Sequence, residues 1–366
     1  MTRGKSYEHG RRRGAGLDRR GGLRPGEWVA LSDQSGPVRL PGTAGGGALA
    51  EPRLDHGALV CELALPLAEP GVVLDLHREN VAFSMFYDHG VGLRVIFRTA
   101  VALVRASLPG PLPQGAQVAR ITFSWSSACG AWSLRHECPG QTGALEVTGR
   151  GAQRGALGFT QGDLDALCRV GAGSSRHSGL LWFGITAGDA LPAHAPWLGQ
   201  RTAIATPTGL RLAGEMAPGD MVMTAAGRAV ALRSVRRLEL PSRGHHAPVL
   251  LRAPYFSPRR DVLVSADQPV LLRGGEVEYL FDTDEVLVAA RHVADGRAAL
   301  FDARRPVSQT VSLDIGPPDL IAGDGIAFLS ARHDDGQVIL PRQMLHSYEA
   351  VPLLLLLGRA DGGLLR

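Results

Sequence analysis

Short apolar runs, cut at close intervals by turn residues, constrain this chain more than any other feature. From about Leu54 they read Leu59–Leu65, Gly71–Leu76, Val81–Phe86, Gly92–Phe97, Ala119–Trp125 and Ala131–His136, and none exceeds seven residues. They are rich in Val, Ile, Phe and Trp and bounded by Gly, Pro, Asp or Ser. Buried helices need about 10–12 residues, whereas strands run to about 4–8. Ile121, Phe123 and Trp125 alternate with Thr122 and Ser124, the period-two pattern of a half-buried strand. The expected fold class is therefore all-β, opening with an N-terminal antiparallel β-sandwich over residues 51–190. Gly162–Cys168 reads as the one short helix of that region and Leu180–Ile185 as its last buried strand.

A length of 366 residues suggests two domains. The net charge of +4 is unevenly spread. Residues 1–25 carry eight cations against Glu8 and Asp18, which is +6, so residues 26–366 sum to −2. The folded part has no global basic field, so no nucleic-acid partner is expected. Arg-Gly clusters and the Gly45–Gly47 run mark residues 1–50 as a disordered basic tail. Lys5 is the only lysine, a bias that fits genome composition better than chemistry. Val351–Leu357 is far short of the ~20 residues of a membrane span and reads as a terminal strand, in a C-terminal strand and tail over 351–366. The basic start lacks a following apolar stretch, so no secretory signal is expected. That leaves a cytoplasmic location, or export without an N-terminal signal.

A second β-rich region opens after a Pro-bearing linker at 191–196. It begins Trp197-Leu198-Gly199-Gln200-Arg201-Thr202-Ala203-Ile204-Ala205-Thr206-Pro207-Thr208-Gly209. It continues through Ala217-Pro218-Gly219-Asp220, the turn Ala226-Gly227 and a long strand, Ala229–Leu240. Then follow Ala247–Arg252, Asp261–Leu272, Glu278–Phe281 and Asp284–Arg291. In order and spacing this resembles the Hint module, the Hedgehog/intein self-processing domain, in its bacterial form. The resemblance implies a Hint-like β-rich horseshoe over 197–350, with Glu278–Phe281 as a strand and the segment from Glu285 as a helix. The N-terminal region is similar to laminin-G or concanavalin-A-like sandwiches, which implies a glycan or a protein as the partner of that region.

In an active Hint module a first-position Cys attacks the preceding carbonyl to form a thioester. A His in the second block moves a proton to the departing nitrogen, and a Thr or Ser three residues earlier holds the bond. Here the Cys position aligns with Trp197 and the His position with Gln268, while Ser265 fits the accessory position beside Asp267. Indole is no acyl nucleophile, and an amide is no base near neutral pH. From Ala187 to Arg201 there is no Cys, Ser or Thr, and the only Asn is Asn80. The expectation is a degenerate module, Trp197, Thr206, Ser265, Asp267 and Gln268 marking its altered site, with no cofactor and no metal. Thr202 or Thr206 undergoing an N-to-O acyl shift is the route by which residual self-cleavage would survive.

Other clusters have plainer readings. Cys129, His136 and Cys138 offer three soft ligands where a closed zinc site needs four, so incidental thiols on a hairpin fit better. Among the four cysteines, Cys61, Cys129, Cys138 and Cys168, pairing of Cys129 with Cys138 competes with free half-buried thiols. His245-His246 reads as polar loop. Asp282–Glu285 reads as a helix cap rather than a cation loop. Trp125 and Trp132 read as core rather than as a sugar platform.

Overall fold

The computed structural model describes residues 27–38, 40, 53–113, 117–139, 146–171, 173–188, 196–332 and 340–359. Its first region is two antiparallel sheets face to face. Their strands are β1 (Trp28–Asp33), β2 (Gly36–Pro37), β3 (His56–Ala64), β4 (Gly71–Arg78), β5 (Val81–Asp88), β6 (Gly92–Thr99) and β7 (Leu103–Pro109). After these come β8 (Val118–Ser126), β9 (Ala131–Glu137), β10 (Glu146–Ala152), β11 (Ser174–Arg176) and β12 (Leu180–Ala187). One sheet runs β10-β9-β8-β3-β12-β1-β2 and the other β11-β4-β5-β6-β7. The alternation foreseen in β8 holds: Ile121, Phe123 and Trp125 point into the core. There they meet Phe83, Phe97 and Phe159, with Phe97 and Phe159 stacked at 4.5 Å between ring centroids. Trp132 packs half-buried against the same core.

Helix α1 (Gln161–Cys168) starts where its sequence prescribes. Thr160 Oγ1 accepts from the Asp163 N–H (3.2 Å), and the Asp163 carboxylate accepts from the Thr160 N–H (2.9 Å). This reciprocal cap satisfies two N–H groups that the first turn leaves free.

The N-terminal boundary needs correction. Trp28–Asp33, expected in the tail, is strand β1, paired with β12 from Trp28↔Thr186 to Asp33↔Trp182. Its pattern is too short to stand out beside the Arg-Gly segment, and tertiary pairing decides it. Residues 1–26 lie outside the described residues.

The second region holds β13 (Leu198–Gly199), β14 (Ala203–Thr206), β15 (Gly209–Leu212), β16 (Met221–Met223), β17 (Ala229–Ala231), β18 (Ser234–Pro241), β19 (Val249–Leu251) and β20 (Val262–Val264). It continues with β21 (Pro269–Arg273), α2 (Gly275–Phe281), β22 (Glu285–Ala289), β23 (Ala299–Phe301), β24 (Val307–Asp314), β25 (Leu320–Ala322), β26 (Ala327–Leu329) and α3 (Ser347–Arg359). A six-stranded sheet runs β18-β24-β13-β20-β19-β23 and a four-stranded one β22-β21-β26-β25, beside the hairpins β14-β15 and β16-β17. The strand expected over Ala229–Leu240 is broken into β17 and β18.

Three further assignments are reversed. Glu278–Phe281 lies in helix α2, and Glu285–Ala289 is strand β22. Glu276 and Glu278 favour a helix N-terminus, and Asp282 ends the helix in the left-handed region at φ 53°. Val286 and Val288 are β-branched and pair into β21. Val351–Leu357 belongs to helix α3 rather than to a strand, consistent with the helix propensity of its leucines. Among the described residues no helix is long and apolar enough to cross a membrane.

Candidate functional site

The peptide between Pro196 and Trp197 enters the middle of the six-stranded sheet. Strand β13 pairs with β24 through Leu198↔Val311 and with β20 through Leu198↔Val264. This registry puts a hydroxyl on each side of the bond. Ser312 Oγ donates to the Pro196 carbonyl (2.9 Å), and the Trp197 N–H donates to Ser265 Oγ (3.3 Å). The Ser265 N–H returns a bond to the Trp197 carbonyl (3.0 Å). Ser265, expected in an accessory position, is thus hydrogen-bonded to Trp197 from both its hydroxyl and its N–H. Ser312 is an addition that spacing alone did not single out.

The Trp197 side chain leaves this peptide for an apolar cluster with Trp28, Leu31, Leu40, Val60, Trp182, Leu240 and Val307. Its neighbours come from both regions, and Trp197 is 4% exposed. Trp28 and Trp182 meet edge to face at 6.3 Å, and the Trp28 indole N–H donates to the Glu239 carbonyl (2.8 Å). The second region is thus seated on the outer face of the seven-stranded sheet.

The other residues singled out in the sequence are engaged elsewhere. Gln268 is buried, and its Nε2 donates to the carbonyls of Leu329 and Pro269, both at 3.0 Å. Asp267 pairs with the Arg291 guanidinium. Thr206 Oγ1 donates to the Gly209 carbonyl (2.6 Å), closing the β14–β15 hairpin. Thr202 Oγ1 is 3.5 Å from the Leu263 carbonyl. No hydrogen bond runs from Thr202, Thr206, Asp267 or Gln268 to the Pro196–Trp197 peptide.

Beside the tryptophan cluster lies a charged contact that pattern reading passed over. Glu62 is fully buried on the outer face of β3, in one cross-strand row with Arg120 and Glu137. Arg120 bonds Glu62 through Nη2 (2.9 Å) and Nε (3.1 Å), and Glu137 through Nη1 (3.0 Å). The remaining Glu62 oxygen takes the His245 N–H (3.0 Å). Burial alone would raise the Glu62 pKa. The His245 hydrogen bond, the Arg120 charge and the two histidines outweigh it and hold the carboxyl at about 2. Asp33 and Arg243 form an ion pair between the regions at 2.8 Å. His246 meets Trp182 edge to face. His245-His246 is therefore interface and not loop filler. A lone Glu inside the apolar run Leu59–Leu65 was the available signal, because a carboxylate in a buried strand needs a partner.

The remaining candidates disperse. His136 is buried against Tyr87 (3.4 Å), the Cys138 thiol faces the Pro113 carbonyl, and Cys129 is exposed. All four cysteines are free thiols. Among the described residues no three His, Cys, Asp or Glu stand together as a metal site. In the Asp282–Glu285 segment, Glu285 pairs with Arg273 (2.6 Å) and Arg342.

Residues 198–331 match the family described as Hint domain. The chain is similar to the MchDnaB-1 intein, at 15% identity over 37% of this chain and 99% of that one, with a TM-score of 0.21. It is also similar to a native heptameric SAP-like pentraxin from Limulus polyphemus, at 12% identity over 38% of this chain and 87% of that one, with a TM-score of 0.19. No curated protein matches the chain.

Proposed function

We propose that the Hint module of residues 198–331 has lost self-processing and serves as a structural partner of the β-sandwich. In this reading the chain divides into a sandwich ending near residue 190 and a Hint-like domain from 197 to about 350. The observation that carries it is the fate of residue 197. The side chain at the nucleophile's position is an indole, packed 4% exposed between the two regions. Thioester formation needs a thiol there and a base beside the leaving nitrogen. Trp197 supplies no lone pair for acyl attack, and the Gln268 amide is committed to two carbonyls.

Intact mass of the purified chain, followed over several days with and without hydroxylamine, tests this. A single species at 38.7 kDa is expected. Two fragments that sum to it, cut at Pro196–Trp197, overturn the reading. A second reading, slow scission at that bond, is favoured by the two hydroxyls that still grip it. It requires Ser312→Ala to abolish the fragments.

A further inference from the structure

Helix α3 is apolar on both of its sides, the composition of a helix enclosed all round rather than of one lying on a surface. Among the described residues only one side is enclosed. Ala350 and Leu353 are buried in the core of the second region, and Leu354 packs half-buried against it. Tyr348, Val351, Pro352 and Leu355 are exposed. Their spacing, i, i+3, i+4 and i+7, sets all four on one stripe of the helix. Helix α2 packs beside α3 and presents Tyr279. Tyr279 and Tyr348, 82% and 70% exposed, are the two most exposed aromatic side chains among the described residues. Single exposed apolar residues are ordinary, whereas a contiguous stripe marks a surface that something covers.

The stripe has the properties of a surface that covers itself. A two-fold axis brings each group close to its own copy, so a charged stripe would repel itself. This one carries no charge. Glu349, the one charged residue of 347–358, is taken up at the helix start, where its carboxylate accepts the His346 N–H (2.7 Å). The four positions are also evenly placed about the midpoint between Val351 and Pro352. The area exposed on them and on Tyr279 is about 500 Å² per copy, so a pair buries about 1,000 Å², the lower end for a specific interface.

We propose that α3, with Tyr279 at its edge, is the contact between two copies of this chain, packed antiparallel across a two-fold axis through the stripe. Tyr348 then stands against Leu355 of the partner subunit, and Val351 against Pro352 of the partner subunit. A lipid surface is the poorer occupant. Helices that lie in a bilayer interface carry Lys or Arg on their polar side, and residues 347–358 hold neither. This inference does not rest on whether the Pro196–Trp197 bond is cut, which intact mass reads separately.

Sedimentation velocity of the full chain from about 1 μM to about 100 μM tests it. The mass is expected to rise from 38.7 kDa toward twice that value, with a midpoint in the micromolar range. Val351→Glu and Val351→Arg each set like charges side by side at the axis. Each should associate at least roughly tenfold more weakly than the parent chain and melt at the temperature of the dilute parent, because residue 351 is exposed. An equimolar mixture of the two variants should regain the double-mass species, because opposite charges then meet at the axis. Val101→Glu/Val170→Glu, which alters exposed valines of the sandwich, should associate as the parent does. A parent chain that stays monomeric throughout overturns the proposal. So does a double-mass species that survives in both charged variants, since the contact then lies elsewhere, and so does a mixture that stays monomeric. A chain monomeric in solution that floats with vesicles of phosphatidylcholine and phosphatidylserine, and no longer does so as Val351→Glu, gives the stripe to a lipid surface and likewise overturns it.

Discussion

Replacing Gly244 by Ala tests the contact between the two regions most directly. Gly244 sits at φ +52°, in the left-handed region that costs a residue with a side chain about 1–2 kcal/mol. A Cβ there would lie 2.7 Å from Glu62 Cδ and inside contact distance of Glu62 Oε2 and Trp182 Nε1. The methyl must either lift the turn carrying His245 off the sheet or push the Glu62 carboxylate from its place. Both break the His245 N–H bond to Glu62. A hydrogen bond to a charged group contributes about 1.5–3 kcal/mol, and Glu62 has no water-exposed surface to fall back on. The sum is roughly 3–5 kcal/mol, against a total stability of about 5–15. Gly227→Ala is the control: φ is +74° but a Cβ meets nothing within 4 Å, so only the backbone cost of about 1–2 kcal/mol applies. Urea unfolding followed by tryptophan fluorescence reports the interface through Trp28, Trp182 and Trp197. If Gly244→Ala costs no more than Gly227→Ala, the Glu62–His245 contact does not hold the regions together as described.

Trp197→Ala should destabilise the chain by about 3–5 kcal/mol in the same assay, since it empties the apolar cluster, whereas a loss under about 1 kcal/mol would place the indole in solvent. Under the proposed reading, Trp197→Cys combined with Gln268→His supplies the thiol and the imidazole that the module lacks, with the Ser265 and Ser312 hydroxyls already at the peptide. Hydroxylamine should then cut that chain after Pro196 while each single variant stays whole by mass spectrometry, and an uncut double variant would mean that the hydroxyl grip is not a working one. His136 is buried, and burial, with His89 adding, lowers its pKa to about 4, so the unfolded chain binds its proton first as pH falls. Stability should drop by about 3 kcal/mol between pH 6.5 and 4 and level off below, a decline that His136→Gln removes. Glu62 acts in the opposite window: its carboxyl is lowered to about 2, so its contribution is complete above about pH 4.5 and disappears only as pH falls toward 2.

Much of the architecture follows from local pattern. Period-two alternation in β6 and β8 says which side chains turn inward, because successive residues of a strand face opposite ways. The capping box of α1 and the turn glycines act within a few residues. Local pattern fails where two short readings compete. Gly275–Phe281 and Glu285–Ala289 are each brief enough to be helix or strand, and pairing of β22 with β21 decides the second. It fails also at Trp28–Asp33, whose strand exists because β12 accepts it.

The site divides in the same way. Residue types alone carry the expectation that Trp197 and Gln268 take the places of a catalytic Cys and His, since chemistry belongs to the side chain wherever it sits. What those side chains do instead is tertiary. Glu62 and His245 are 183 residues apart and meet only when the second region settles on the sheet. Ser312 reaches Pro196 only through the β24–β13 register. A periodic pattern reports that a face is buried, because burial of apolar surface is non-directional and leaves only a hydrophobic trace. It does not report what covers that face. Hydrogen bonds and ion pairs are directional, and their partners are chosen by the packing of distant segments.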